Sequence, residues 1–180
     1  MAEIKKFTLG SGYVYISEFT GVVPDKETLA VEENLLGYIS NGAVIEYKPT
    51  FYVVEDDMGK IKENVLTVEE ASFKTGVLTF NAETLDKIVP TGSVTSTATM
   101  RTIDIGGKAN DNGKKYVFMF EHLDSINGNT RVWMVGKNQS GFTLNFVKDK
   151  ETIIDVEIKA SPLNDAGTLI RYEEDIPAVV

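Results

Sequence analysis

Two consecutive apolar, β-rich runs decide the fold of this chain. The first reads Ala43-Val-Ile-Glu-Tyr-Lys-Pro-Thr-Phe-Tyr-Val-Val54, and the second reads Ile61-Lys-Glu-Asn-Val-Leu-Thr-Val-Glu-Glu-Ala-Ser-Phe-Lys-Thr-Gly-Val-Leu-Thr-Phe80. A charged connection, residues 55–60, has the composition of a turn. Each run is roughly twice the ~5–6 residues of an ordinary strand. The pattern therefore predicts a long β-hairpin, over about residues 43–80, that overhangs the core of one small domain.

An overhanging hairpin favours assembly over catalysis. Its edges present unpaired N–H and C=O groups, and such edges pair readily with other chains. Pro49 cannot donate to a ladder, so its strand is predicted to lie at an edge or to bend. Alternation predicts one shared face within each run: Ile45, Tyr47, Phe51 and Val53 in the first run, and Val65, Thr67, Ala71 and Phe73 in the second.

The rest of the chain predicts short antiparallel strands and one helix. Asn81 is a candidate N-cap for a helix over about residues 82–89, which Pro90 and Gly92 end. Residues 20–42 predict either a short helical turn or a loop that reaches a neighbour. Asn-Gly pairs predict tight turns at residues 41–42, 112–113 and 127–128. The predicted strands cover residues 12–19, 100–105, 115–122, 131–136, 142–147, 152–160 and 168–172, with 115–122 in the centre of the sheet.

These elements predict a mainly β fold, an antiparallel β-sandwich or flattened barrel with one short helix and a long protruding hairpin. A chain of 180 residues suits a single domain, residues 1–180. We expect an N-terminal arm over about residues 1–12 and a charged C-terminal tail over about residues 173–180.

Composition excludes several classes of function. The chain has no cysteine, so disulfides, thiolate metal sites and cysteine nucleophiles are excluded. The net charge is −9, and no basic face suited to phosphates is visible, which disfavours nucleic-acid binding. An acidic wall that repels passing DNA remains compatible with this charge. No run approaches the ~20 apolar residues of a membrane span, and the start lacks an apolar signal core, so we expect a cytoplasmic protein.

No residue pattern predicts catalysis, a metal site or a cofactor. His122 is the only histidine, so a histidine-based triad or a multi-histidine site cannot form within one chain. The run Asp56-Asp57-Met58-Gly59 resembles part of a calcium loop but lacks the remaining ligands at their fixed spacing. A hairpin tip in solvent is the favoured interpretation, and the chain is predicted not to be an enzyme.

Two alternatives stay open at this point. Tyr13, Tyr15 and Trp133 could form an aromatic platform, which would make the chain a carbohydrate-binding adhesion module. A small hydrolase that uses two of the 27 acidic side chains is the least favoured alternative, because nothing singles out a pair.

Two segments resemble the tail tube proteins, or major tail proteins, of bacteriophages. Residues Phe73-Lys-Thr-Gly-Val-Leu-Thr-Phe-Asn-Ala-Glu-Thr-Leu85 are similar to the strand-to-helix passage of that family. Residues Ile158-Lys-Ala-Ser-Pro-Leu-Asn-Asp-Ala-Gly-Thr-Leu-Ile-Arg-Tyr172 are similar to its ending, a Lys-Ala-x-Pro strand followed by a turn and a short strand. The order of elements is also shared: an N-terminal strand, a long hairpin, a helix and an antiparallel meander.

The resemblance implies a structural protein that assembles into stacked, hexameric rings around a channel for DNA. The chain itself is then the main partner, together with tape-measure, tail-terminator and baseplate proteins, and DNA is only transient cargo that does not stick. The expected location is the virion tail, after assembly in the cytoplasm of the bacterial host. Tube subunits of contractile bacteriocins or injection systems are an alternative within the same class.

Two groups of residues are assigned on this basis. Asp155 and Glu157 are assigned to the channel wall, because they alternate with apolar residues and their charge repels DNA. The hairpin is assigned to contacts between subunits and between rings, through Phe51, Tyr52, Val53, Asp56, Asp57, Met58, Val65 and Leu66.

Overall fold

A computed structural model describes residues 10–111 and 113–176, which form ten strands and two α-helices. The strands are β1 Tyr13–Glu18, β2 Leu35–Gly37, β3 Ile39–Glu55, β4 Lys62–Val77, β5 Gly92–Ser96, β6 Arg101–Ile105, β7 Tyr116–His122, β8 Thr130–Asn138, β9 Ile154–Ser161 and β10 Ile170–Glu174. The helices are α1 Lys26–Leu29 and α2 Ala82–Ile88. The prediction of a mainly β, antiparallel fold with a long hairpin is confirmed.

The main sheet has the strand order β2-β1-β7-β8-β9-β4-β3, and β10 also pairs with β8. Every pairing in it is antiparallel. Its first and last strands, β2 and β3, are consecutive in the chain and are separated only by Tyr38. The pairing path therefore starts and ends on one continuous stretch, residues 35–55. Strands β5 and β6 form a separate hairpin beside α2.

Both faces of the central strands are buried. On one face of β7 and β8, Phe118 and Met134 join a core that α2 covers with Leu85 and Ile88. On the other face, Trp133 and its neighbours pack with Leu29 of α1. The central position predicted for residues 115–122 is confirmed, because β7 lies between β1 and β8.

The helix prediction is confirmed at its start. Asn81 is extended, and its side chain accepts a hydrogen bond from the backbone N–H of Thr84 at 2.9 Å, so it is the N-cap. The expectation of a single helix is wrong. A second, four-residue helix, α1, begins where Asp25 accepts a hydrogen bond from the N–H of Thr28 at 2.9 Å. Of the two interpretations of residues 20–42, the helical turn is therefore present.

Two local predictions are wrong for a shared reason, the pairing of distant strands. Asn41 and Gly42 have positive φ, as expected, yet they form a bulge inside β3 and not a tight turn. β4 continues on both sides of them, so β3 must also continue. Residues 142–147 form no strand, because no described strand pairs with them; only Val147 makes an isolated bridge, to Lys150.

The two ends of the described chain lie beside the β7–β8 connection. Nδ1 of His122 donates to the carbonyl of Ser11 at 2.8 Å, and the backbone N–H of Asp175 donates to the carbonyl of Asn129 at 2.9 Å. Of the predicted N-terminal arm, residues 1–9 lie outside the described residues. Of the predicted tail, residues 173–175 are part of the fold and residues 177–180 lie outside the description.

Side chains of β8 form hydrogen bonds with β10 and with Asp175, the residue that follows it. Arg131, which is buried, donates from Nε to Glu121 at 2.8 Å and from both terminal nitrogens to Asp175 at 2.7 and 3.0 Å. The indole N–H of Trp133 donates to Glu173 at 2.8 Å. The hydrogen bond from Arg131 holds the pKa of Asp175 below its ordinary value of 3.8. These bonds fix the strand that precedes the C-terminus.

Candidate assembly surface

The outer part of the long hairpin has no covering from the rest of the described chain. Every residue from 47 to 55 and from 57 to 70 is exposed. We call residues 47–70 the arm. At ~3.3 Å per residue, the stretch 47–55 is roughly 27 Å long. Its apolar side chains are far more exposed than core residues: Phe51 is 53%, Tyr52 64% and Met58 75% exposed. A surface of this kind is expected where another protein binds.

A bulge at Thr67 sets which side chains share a face of the arm. Thr50 pairs with Val68 and Phe51 pairs with Leu66, so Thr67 is an extra residue in β4. Its hydroxyl donates to the carbonyl of Thr50 at 3.0 Å. The extra residue reverses the alternation of the outer half of β4 relative to its base.

The predicted face of the second run is therefore wrong. Alternation without the bulge grouped Val65 with Phe73, whereas the pairing places Leu66 on the face of Phe73 and Val65 on the opposite face. No pattern in the sequence marks Thr67, because threonine is an ordinary strand residue.

Both faces of the arm are apolar. Phe51 pairs with Leu66 on the face that continues the core side of β4, and Tyr52 pairs with Val65 on the other face. Val53 lies on the first of these faces, beyond Phe51. Strands with apolar residues on both faces are typical of sheets that are covered on both sides.

The arm also has open edges. β9 pairs with residues 72–77 of β4, so the edge of residues 62–71 that faces away from β3 has no neighbouring strand among the described residues. β3 is the last strand in the sheet order, so its outer edge likewise has no strand partner in the described chain. Pro49 lies on this edge strand, as predicted. Open edges and two apolar faces together make the arm suited to insertion between other elements.

The tip of the arm is an ordered turn. A carboxylate oxygen of Asp56 accepts the N–H of Ile61 at 2.7 Å, and the carbonyl of Asp56 accepts the N–H of Gly59 at 2.9 Å. This hydrogen bond from Ile61 lowers the pKa of Asp56. Asp57 and Met58 are exposed and extend away from the turn. Of the acidic residues assigned to the tip, Asp56 shapes the turn and Asp57 is available to a neighbour.

The two acids assigned to the channel wall differ in their surroundings. Asp155 is exposed, whereas Glu157 lies between Lys159, at 3.1 Å, and Lys74, at 3.5 Å. The hydrogen bond with Lys159 is the main cause of a lowered pKa of Glu157. The charge of Glu157 is therefore compensated within the sheet. Lys74 was not singled out from the sequence, because its pairing with Glu157 depends on the register of β4 against β9.

A concavity of about 480 Å³ lies between the start of β3, the middle of β9 and residues 140–143. Its carboxylates are Asp155 and Glu157, and Glu157 is ion-paired with Lys74 and Lys159. No group of three or more histidine, cysteine or acidic side chains could hold a metal ion within the described ranges. No helix of the described chain is long and apolar enough to span a membrane.

The proposed aromatic platform is incomplete. Trp133 is only 2% exposed and packs against Met119 and Val135 of the core. Tyr13 and Tyr15 remain near each other, with ring centroids 6.4 Å apart and planes tilted by 42°. Without Trp133, this pair is the only part of the predicted platform near the surface.

Comparisons with known proteins identify no relative. No protein-family model matches the chain, and a search of curated proteins finds no match. The functional argument therefore depends on the geometry of the arm and on the physical chemistry of its residues.

Proposed function

We propose that this chain is a structural subunit that assembles with copies of itself into stacked rings, as a phage tail tube protein does. The observation that carries the proposal is the arm, which is apolar on both faces and open at both edges. Closing such strands against neighbouring copies removes the exposed edges and covers the apolar side chains. A head-to-tail repeat of one contact generates rings or filaments.

The charge of the chain supports a passive role toward DNA. A subunit of net charge −9 repels the phosphate backbone, so DNA can pass along a channel without binding to its wall. Asp155 is the better of the two assigned wall residues, since it is exposed and Glu157 is paired with lysines. A tube subunit of a bacteriocin or an injection system would share the same assembly chemistry.

Electron microscopy of the purified protein over a range of concentrations tests the proposal. We expect annuli or tubes of uniform diameter, at high concentration or after addition of proteins encoded beside it that start or limit a tail. Neighbouring reading frames for a tape-measure protein and a tail-completion protein would agree with this function. Monodisperse monomers under all these conditions would contradict it.

A further inference from the structure

The arm tip, residues 55–63, and the β8–β9 loop, residues 139–153, lie at opposite ends of the sheet. β4 runs antiparallel to β9, and β9 runs antiparallel to β8. β4 therefore begins, at the arm tip, toward the end where β8 begins, whereas the loop follows the other end of β8. Copies repeated head-to-tail along the strand direction would bring the arm tip of one copy to the β8–β9 loop of the next.

The β8–β9 loop is ordered and presents an apolar surface. The hydroxyl of Thr152 donates to the carbonyl of Asn145 at 2.9 Å, and Val147 forms a bridge with Lys150. Phe146, which lies in the chain between Asn145 of the hydrogen bond and Val147 of the bridge, is 77% exposed. A concavity of about 280 Å³ lies against the loop and is lined in part by Val147. The loop thus offers the exposed ring of Phe146, and separately a hollow whose lining combines Val147 and Ile153 with polar and charged side chains.

The charges of the chain are distributed unequally between the two ends. The connections at the end of the β8–β9 loop, residues 19–34, 78–91, 106–115 and 139–153, contain seven lysines and nine acids. At the other end, residues 55–63, 123–129 and 173–176 contain eight acids and two lysines. Over these connections the end of the β8–β9 loop therefore has a net charge of −2, and the end of the arm tip has a net charge of −6. The strongly acidic arm-tip end repels another copy of itself more than it repels the less negative end, whose lysines can pair with acids of the tip.

We propose that the arm tip of one copy docks on the β8–β9 loop of the next copy. In this contact Met58 packs against Phe146, and Asp57 lies close to Lys148. The acceptor is thereby named as a specific surface of this chain, and the inference rests on the proposed self-assembly. Each contact is small, and repetition around a ring would multiply its effect.

Cross-linking tests the contact directly, because the chain has no cysteine of its own. The double variant Met58→Cys with Phe146→Cys is assembled, treated with a short bismaleimide and analysed by peptide mass spectrometry. The two positions lie at opposite ends of one copy, so a link between them joins two copies. We expect a ladder of covalent oligomers with 58–146 links. Each single variant and the pair Met58→Cys with Met100→Cys, whose exposed side chains do not lie in the loop, serve as controls.

A charge exchange gives an independent measurement. Lys148→Glu should raise the concentration at which polymers appear by about fivefold, the effect of one surface ion pair. Asp57→Lys should restore assembly when it is combined with Lys148→Glu. Lys108→Glu, an exposed change at the same end but outside the loop, should alter assembly less.

The outcomes separate this inference from the proposed function. Suppose polymers form but give no 58–146 link, and the charge exchange does not alter the concentration at which they appear. That result would overturn the docking surface and leave the proposed tube function intact. Absence of polymers from the unmodified protein and from every variant would overturn both. Links at 58–146 together with rescue by Asp57→Lys would establish the contact.

Discussion

At the scale of single residues, Gly136 is required by the close approach of two strands. A Cβ atom at this position would lie 2.1 Å from the carbonyl oxygen of Lys159, the backbone of the neighbouring strand β9. Real Cβ atoms do not approach backbone oxygen so closely, and a paired strand cannot move aside at low cost. Glycine is therefore the residue that lets β8 and β9 join at this point.

Gly136→Ala should lower the free energy of unfolding by about 3 kcal/mol or more, since it forces the two backbones apart. Urea unfolding monitored by circular dichroism measures this change. Gly141→Ala is the comparison: its φ is +72 and it has open space around it, so strain of the backbone alone should cost about 1 kcal/mol. Equal losses for the two variants would argue against the steric account.

The ion pair between Arg131 and Asp175 makes part of the stability depend on pH. The pKa of Asp175 is lower in the folded state than its ordinary value of 3.8. A carboxyl with a lowered pKa contributes stability that is present above the ordinary value and is lost as the pH falls through the folded value. This contribution is therefore intact at neutral pH and disappears in acid, below about pH 4.

Asp175→Asn should reduce stability at pH 7 and flatten the loss of stability between about pH 5 and pH 2. Denaturant unfolding across this range gives both quantities. Asp165→Asn, at an exposed position, is the matched control: the free energy of unfolding of this variant should still fall steeply as the pH is lowered. If Asp175→Asn lost stability in acid as steeply as the unmodified protein, other carboxylates would be responsible for the pH dependence.

Asn41, Gly42 and Asn81 show which features of the structure can be predicted from neighbouring residues alone. The sequence predicted correctly that Asn41 and Gly42 adopt positive φ, because both residue types tolerate it. Whether such a pair ends a strand or bulges within it depends on the partner strand, which is distant in sequence. The capping role of Asn81 was predictable, because the interaction is local and involves only the next three residues.

At the scale of elements, the arm was predictable from composition but its two faces were not. Long apolar runs with a charged turn are visible in the sequence, and they do form β3 and β4. The bulge at Thr67 depends on pairing between strands, so it could be found only in the structure. Residues 142–147 show the converse: apolar alternation predicted a strand, but in the fold no described strand pairs with them.

The two-sided arm predicts that both faces matter for assembly. Phe51→Ser with Leu66→Ser alters one face, and Tyr52→Ser with Val65→Ser alters the other. Because all four side chains are exposed in the single chain, each variant should fold with a stability within about 1 kcal/mol of the unmodified protein. Both should prevent polymers from forming at concentrations where the unmodified protein assembles.

Sedimentation velocity and electron microscopy measure this loss, and circular dichroism checks folding. Lys48→Ser with Glu70→Ser, an exposed pair at the base of the arm, is the matched control. If only one of the two apolar pairs is needed, the arm lies on a surface and is not enclosed between neighbours.

At the scale of the whole molecule, the body of the protein is expected to be stable without the arm. The body contains both buried clusters and both helices, and no residue of the arm is buried. Lys48 and Glu70 are direct partners across the hairpin, so a two-residue turn can connect them.

Replacing residues 49–69 by Asn-Gly should give a folded monomer that does not assemble. The free energy of unfolding should change by less than about 1 kcal/mol, since only exposed residues are removed. Thermal unfolding tests the first expectation, and sedimentation at high concentration tests the second. An arm-deleted protein that still forms tubes would place the assembly contacts elsewhere on the body.

The buried indole of Trp133 gives the chain a natural optical probe. It is the sole tryptophan, it pairs with Arg171 of β10 in the sheet, and its N–H donates to Glu173. If β10 detached, water would reach the indole of Trp133 and its fluorescence emission would shift to longer wavelength. Assembly of copies through the arm, which is distant from Trp133, would leave the emission spectrum unchanged. The intrinsic fluorescence of Trp133 therefore distinguishes denaturation from disassembly without an added dye.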